Sequence, residues 1–202
     1  RLEGVFDLVG EVSHSLEESR EALKQRLNEL AILNEAAQHS TSSLSISQIL
    51  ESILKLLQEK IGVDHCSIRL LDEDGVLRLE SYLGPELLPQ QELDLKPDMS
   101  TLVGQCLLER KLISIPDTSQ LAPQEVTGLH PAEMQASFIL VPLATESQIL
   151  GVLCAASKQK RFFPPEQLDF YRSLANQVSL AIHNARLYEK IIRFSRELET
   201  KV

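Results

Sequence analysis

The stretch that decides the fold is Ser67-Ile68-Arg69-Leu70-Leu71-Asp72-Glu73-Asp74-Gly75-Val76-Leu77-Arg78-Leu79-Glu80-Ser81-Tyr82-Leu83-Gly84. From Val63 onward the apolar period is two, so His65–Leu71 and Val76–Leu83 read as strands. Between them Asp72-Glu73-Asp74-Gly75 supplies short polar side chains and a glycine, the chemistry of a tight turn, and Gly84-Pro85 ends the second strand. The unit is an antiparallel hairpin.

Towards the N-terminus, Ile46, Ile49, Leu50, Ile53, Leu54, Leu57 and Ile61 form a wide apolar helical face that stops at Gly62. Ser45 and Gln48 have the capping-box spacing, and the face is suited to lie on a sheet. Before it, His39-Ser40-Thr41-Ser42-Ser43 breaks the helix, because short polar side chains compete for backbone hydrogen bonds. Further upstream Val9, Leu16, Leu23, Leu30, Ala37 and Leu44 recur every seven residues, the seam of a coiled coil. The companion positions Val5, Val12, Ser19, Arg26 and Leu33 are mixed, which predicts a weakly packed, partner-dependent helix.

Towards the C-terminus, Ser100 is placed to cap a short helix over 101–110, and Leu112–Ile115 is a short strand stopped by Pro116. Residues 117–135 carry Pro123, Gly128 and Pro131 with little periodicity, and a connection of that length usually covers a binding site or is disordered. Ser137–Ala144 and Ile149–Ala156 are almost continuously apolar, as central strands are, and flank a turn at 145–148. Pro164-Pro165-Glu166 opens a last helix with two stripes. Leu174, Val178, Ala181 and Ala185 can cover the sheet; Leu180, Asn184, Leu187, Ile191, Phe194 and Leu198 form a second heptad seam that predicts a parallel partner helix, with Asn184 fixing its register.

Composition narrows the classes. With 20 Lys+Arg against 29 Asp+Glu the net charge is −9, and no basic cluster is present to track phosphates, so a nucleic-acid partner is not expected. No apolar run reaches the roughly 18 residues of a membrane span. Cys66, Cys106 and Cys154 are odd in number and far apart, which fits a reducing, cytoplasmic setting better than a disulfide framework or a zinc cluster. The missing initial Met suggests a piece of a longer protein, whose other parts, a membrane anchor among them, this sequence leaves open.

The order of elements resembles that of a GAF domain, and four phrases carry the likeness: SIRLLDEDGVLRLESYLG, LVGQCLLERKLISIPD, SFILVPLATESQILGVLCAAS and FFPPEQLDFYRSLANQVSLAIHNARLYE. The resemblance implies an α/β (α+β) domain with an antiparallel sheet of five to six strands, the terminal helices on one face and a ligand pocket on the other. It implies a small-molecule sensor and dimerisation module, and the long flanking helices look like linkers to a histidine kinase or diguanylate cyclase effector. The expected organisation is a signalling helix over 1–42, the GAF domain over 43–186 and an exit helix over 187–202. The homodimer seam would use Leu16, Leu23, Leu30 and Ala37 with Leu180, Asn184, Leu187, Ile191, Phe194 and Leu198.

On the pocket side the candidates are Arg69, Tyr82, Leu102, Asp117, His130, Ser137, Phe138 and Cys154. Arg69 stands out, because a guanidinium in an apolar strand matches a carboxylate or other anion; the competing reading pairs it across the hairpin with Glu80. The ligand itself is left unknown by the sequence. Cyclic-nucleotide binders of the family carry an Asn-Lys…Phe…Asp-Glu signature; Lys158 and Phe163 align with it, but Ser157 and Gln167 replace two polar anchors, so Phe163 is expected simply to pack at the helix entrance. Bilin-binding members use a Cys that is usually followed by His, and no Cys here fits. Haem would need an axial imidazole, for which His130 in the loop is the candidate, ahead of His65, His39, His14 and His183. No catalytic constellation is evident, and the chain is read as non-enzymatic. Two alternatives remain: a ligand-free dimeric spacer whose cavity is filled by Phe138, Leu102 and Leu129, and a thiol enzyme like the free methionine sulfoxide reductases of this fold, which needs two Cys within disulfide reach.

Overall fold

A computed structural model describes residues 46–84, 94–129 and 133–199. The N-terminal seam residues Leu16, Leu23, Leu30 and Ala37, the capping Ser45 and the loop residue His130 lie outside these. Helix α1 (Ile46–Leu56) runs into a wide closing turn over Leu57–Ile61. It stops at Gly62 with φ 83°, the left-handed conformation that glycine adopts without a Cβ clash. The hairpin follows as β1 (His65–Leu71) and β2 (Leu77–Leu83), with the Asp72 carboxylate accepting from the Asp74 and Val76 amides to hold the turn.

Helix α2 (Leu102–Leu108) begins at Thr101, whose hydroxyl accepts from the Gly104 amide at 3.1 Å. The cap is therefore Thr101 and not Ser100, whose amide instead donates to Asp98 and completes the turn before the helix. Strand β3 (Ile113–Ile115) leads to the long connection, and β4 (Ser137–Ala144) and β5 (Ile149–Ser157) form the centre of the sheet. The last helix, α3 (Leu168–Glu199), is entered through a short 3-10 turn at Pro165–Gln167.

The five strands lie in the order β2-β1-β5-β4-β3 with every neighbouring pair antiparallel. Strand alternation sends one set of side chains to each face, and both faces are covered. Under α1 and α3 lies a continuous apolar core of Ile49, Ile53, Leu54, Leu174, Val178 and Ala181 against Ile68, Ile139, Val141 and Leu153. On the opposite face Leu102, Cys106, Leu107 and Leu129 close over Phe138, Leu140, Val152, Cys154 and Ala156. Phe163 belongs to the first core, edge-on to Tyr171, the packing role expected for it.

Candidate functional site

The two rows of β1 differ in kind. Cys66, Ile68 and Leu70 join the core beneath the helices, so the pleat sends His65, Ser67 and Arg69 to the other face. All three are buried, with Arg69 only 1% exposed. Their neighbours across β5 are Ala156, Cys154 and Val152, small or apolar side chains that leave room beside them and offer no charge. Gly151, opposite Leu70, permits the close strand approach, since a side chain there would overlap the Arg69 carbonyl oxygen.

On the β2 side the register contains a bulge between Ile68 and Arg69. Arg69 stands opposite Leu79, Ile68 opposite Ser81, and Glu80 is the extra residue, exposed to solvent. The cross-strand Arg69–Glu80 pair expected from the sequence is thus not formed. The bulge also resets the alternation so that Tyr82 stands opposite Ser67, with its ring edge-on to His65 at a centroid distance of 4.8 Å.

Arg69 is instead held by Glu133, from the loop that precedes β4. Both terminal nitrogens of the guanidinium donate to the carboxylate, Nη1 to Oε1 and Nη2 to Oε2 at 2.9 Å, and the Ser67 hydroxyl donates to Oε1 as well. His65 Nε2 stands 3.7 Å from the same oxygen. Burial alone would raise the Glu133 pKa, but the His65, Arg69 and Ser67 donors overcome it and bring the carboxyl down to about 2. Burial likewise works against the Arg69 charge, and the Glu133 carboxylate outweighs it. The pair is therefore ionised in a nearly dry setting. Among the described residues Arg69 Nε and His65 Nδ1 lack a hydrogen-bond partner, and His65 Nε2 has nothing nearer than the Glu133 oxygen at 3.7 Å.

Of the residues singled out in the sequence, Arg69 and Tyr82 fall in this cluster, and Burial, Glu133 and Cys66 together raise the Tyr82 phenol pKa. Leu102, Phe138 and Cys154 lie on the same face as packed core. Ser137 and Asp117 do not belong to the cluster. Ser137 alternates to the other side of β4 from Phe138 and donates to the Gln159 carbonyl, fastening the end of the sheet. Asp117 caps a 3-10 turn (Thr118–Gln120) through the Ser119 amide and pairs with Lys160 at 2.8 Å, and these contacts lower its carboxyl to about 2. The cluster members missed were Glu133, Ser67 and, as a partner of Arg69, His65. Period two on β1 puts 65, 67 and 69 in one row, so two of the three were within reach; Glu133 comes from a stretch without periodicity.

Cys106 and Cys154 share the apolar cluster on the face away from the helices. Cys66 and Cys154 point to opposite faces, and all three are free and buried. Burial pushes the Cys66 and Cys106 thiols up to about 12 and Cys154 well above its ordinary value, so the nucleophilic thiolate is suppressed. Among the described residues no group of His, Cys, Asp and Glu is arranged to hold a metal ion.

On α3 the first stripe is buried at Leu174, Val178 and Ala181. The second is open: Leu180 is 47%, Leu187 46% and Ile191 65% exposed, and Asn184 is exposed between them. Phe194 and Leu198 lie on α3 beyond its described side chains.

Comparison with known proteins agrees with this architecture. The sensor histidine kinase YhcY of Bacillus subtilis is 27% identical over 174 residues, 82% of this chain but 45% of that protein. The formate hydrogenlyase transcriptional activator FhlA of Escherichia coli is 26% identical over 78% of this chain and 23% of its own length. The chain thus spans less than half the length of these relatives. Among solved structures, the GAF domain of an Acinetobacter phosphoenolpyruvate-protein phosphotransferase superposes with a TM-score of 0.67 at 25% identity, covering 78% of this chain and 94% of that one. The free methionine-R-sulfoxide reductase of Neisseria meningitidis shares the fold, with a TM-score of 0.67 at 18% identity over 82% of this chain and 93% of its own. A family model described as GAF domain matches residues 43–183, from just ahead of α1 to well inside α3, and by that match this chain belongs to the GAF domain family.

Proposed function

We propose that the chain is the sensor and dimerisation module of a longer regulatory protein, with a small-molecule site on the sheet face opposite α1 and α3, and α3 as the output element. The observation that carries this is the double character of α3. Its first stripe seals the sheet, while Leu180, Leu187 and Ile191 continue a heptad seam into solvent. A second copy of the chain in parallel covers that seam, and the upstream heptads at Leu16, Leu23, Leu30 and Ala37 supply a matching one.

Beside this apolar packing, two hydrogen bonds among the described residues tie the sheet to the output helix. Arg186 of α3 donates to the Leu71 carbonyl at the end of β1, two residues from Arg69, and His183 is bonded to Gln148 beside β5. A change at the Arg69 cluster that moves β1 therefore acts directly on α3, and a weakly packed seam converts a small shift into a different helix register or crossing. Relatives that include a sensor histidine kinase and transcriptional activators support a regulatory role. Three buried, unpaired thiols fit a reducing compartment such as the cytoplasm, and no described helix is long and apolar enough to cross a membrane.

The mass of the 202-residue chain by sedimentation equilibrium tests the dimer. A dimer that Leu187→Lys with Ile191→Lys dissociates is expected; a monomeric wild-type chain overturns the reading. The ligand-free spacer is the second reading, favoured by Leu102, Leu129 and Phe138, which are 6%, 7% and 0% exposed and fill the space beside the cluster. Under that reading the dimer forms but no small molecule shifts its Tm.

A further inference from the structure

We propose that the Arg69, Ser67 and His65 cradle binds a small free carboxylate in exchange for the Glu133 carboxylate, so that Glu133 acts as a built-in competitor whose release frees the loop ahead of β4. This rests on the sensor reading above and names the ligand class of that site.

Three observations carry it. First, the cradle is a cationic donor set built into the middle of a sheet, and its counter-charge comes from neither neighbouring strand. The partners of Arg69 are Leu79 on one side and Val152 on the other, and the carboxylate arrives from an irregular segment 64 residues away in sequence. An ion pair placed only for stability would be expected to cost more desolvation than it returns, and an apolar pair of similar volume would serve as well.

Second, the cradle has donor capacity left over. Glu133 takes Nη1, Nη2 and the Ser67 hydroxyl, while among the described residues Arg69 Nε stays buried without a partner and His65 Nε2 is no closer to the carboxylate than 3.7 Å. Such orphaned groups are uncommon in a folded core and call for an explanation. A carboxylate not tethered to the loop can turn to engage Nε with one terminal nitrogen, the side-on fork, and bring its second oxygen towards His65. The free ligand thus has hydrogen bonds to gain that the tethered one lacks.

Third, the available room sets the size. Leu102, Leu129 and Phe138 occupy the face beside the cradle, so the space that becomes free on exchange is that of the Glu133 side chain itself. Beyond Cβ that side chain is a methylene and a carboxylate, the dimensions of acetate. Formate and acetate fit, and longer acids must displace core side chains.

The test is a pair of titrations on the full chain. In the wild type, the Arg69 Nε–H signal in nitrogen-15 NMR is followed while sodium acetate or formate is added, against sodium chloride at the same ionic strength. A saturable shift with the carboxylates and none with chloride is expected. In Glu133→Ala the Tm is expected to fall and to recover most of the loss with acetate, rising with concentration as a site-binding equilibrium requires. Recovery should be smaller with butyrate and absent in Arg69→Met/Glu133→Ala. If Glu133→Ala does not fold, Glu133→Gln is titrated in its place, where the shift should appear at lower acetate concentration than in the wild type. Rescue of the variant with no saturable shift in the wild type overturns the exchange, and no response in either chain overturns the site. A dimer seen by sedimentation with no response to carboxylate leaves the dimerisation reading standing and the ligand class refuted.

Discussion

The two faces of the sheet are built from the same five strands and are both closed, yet they are held by different physics. Beneath α1 and α3 the core is built of apolar side chains, from Ile49 and Leu54 to Leu174 and Val178. On the other face the apolar packing of Leu102, Phe138 and Val152 surrounds an ionised pair, Arg69 and Glu133, each nearly excluded from water. The helix-side face is stable through the sum of many small contacts, so it degrades gradually. The other face depends on two charges that are tolerable only together, which makes it the place where a single event has a large effect.

Breaking that pair is the largest expected change. Arg69→Met leaves a buried carboxylate without its counter-charge and should cost about 3–5 kcal/mol of unfolding free energy. Arg69→Met with Glu133→Leu removes both charges and should recover most of that loss, by urea denaturation. If the double variant is as unstable as the single, the pair is not the unit that matters and the contrast between the faces fails.

Next comes a truncation on the helix-side face. Leu174→Ala opens a cavity under α3 and should cost about 2–5 kcal/mol. This loss should be the same at pH 7 and pH 3, because the core around Leu174 holds no carboxylate or histidine, whereas the cost of Arg69→Met should shrink on acidification. The two faces are thereby distinguished by pH as well as by size.

The sign of that pH dependence follows from Glu133. Its carboxyl lies near 2 in the folded chain against an ordinary value of 4.5, so its contribution is fully present above about pH 4.5 and is lost as the pH falls towards 2. The wild type should therefore lose stability over this window more steeply than Arg69→Met/Glu133→Leu. Equal slopes for the two chains would mean that Glu133 is not ionised in the folded state.

The same contrast explains what the sequence revealed. The helix-side face is written in local patterns: a period of two for His65–Leu71, an almost continuous apolar run for Ser137–Ala144, and steps of three and four for Ile46–Ile61 and Leu174–Ala181. The hairpin, the central strands and the closing helices were accordingly legible, and Gly62 marked the helix end correctly. Arg69 was visible as a charge in an apolar strand, but its partner was not. A bulge invisible to periodicity moved Glu80 away, and the counter-charge came from Glu133, whose loop offers no pattern to read. Asp117 and Ser137 went astray for a related reason: polarity near a pocket does not tell which face a side chain takes, and one residue of register decides it.

The smallest expected effect completes the contrast, because it concerns the same chemistry in water. Asp117 and Lys160 are also within hydrogen-bond distance, at 2.8 Å, but the lysine side chain is 61% exposed. Exposed ions are screened and remain solvated when separated, and the Ser119 amide and hydroxyl go on holding the Asp117 carboxylate without the lysine. Lys160→Gln should leave the Tm at physiological salt unchanged within error. What should move is the Asp117 titration, upward from about 2 because the Lys160 hydrogen bond is the largest influence lowering it, measured by carbon-13 NMR of the carboxyl. A large loss of Tm in this variant would show that distance rather than burial governs ion pairs here, and would remove the ground for treating Arg69 and Glu133 as special.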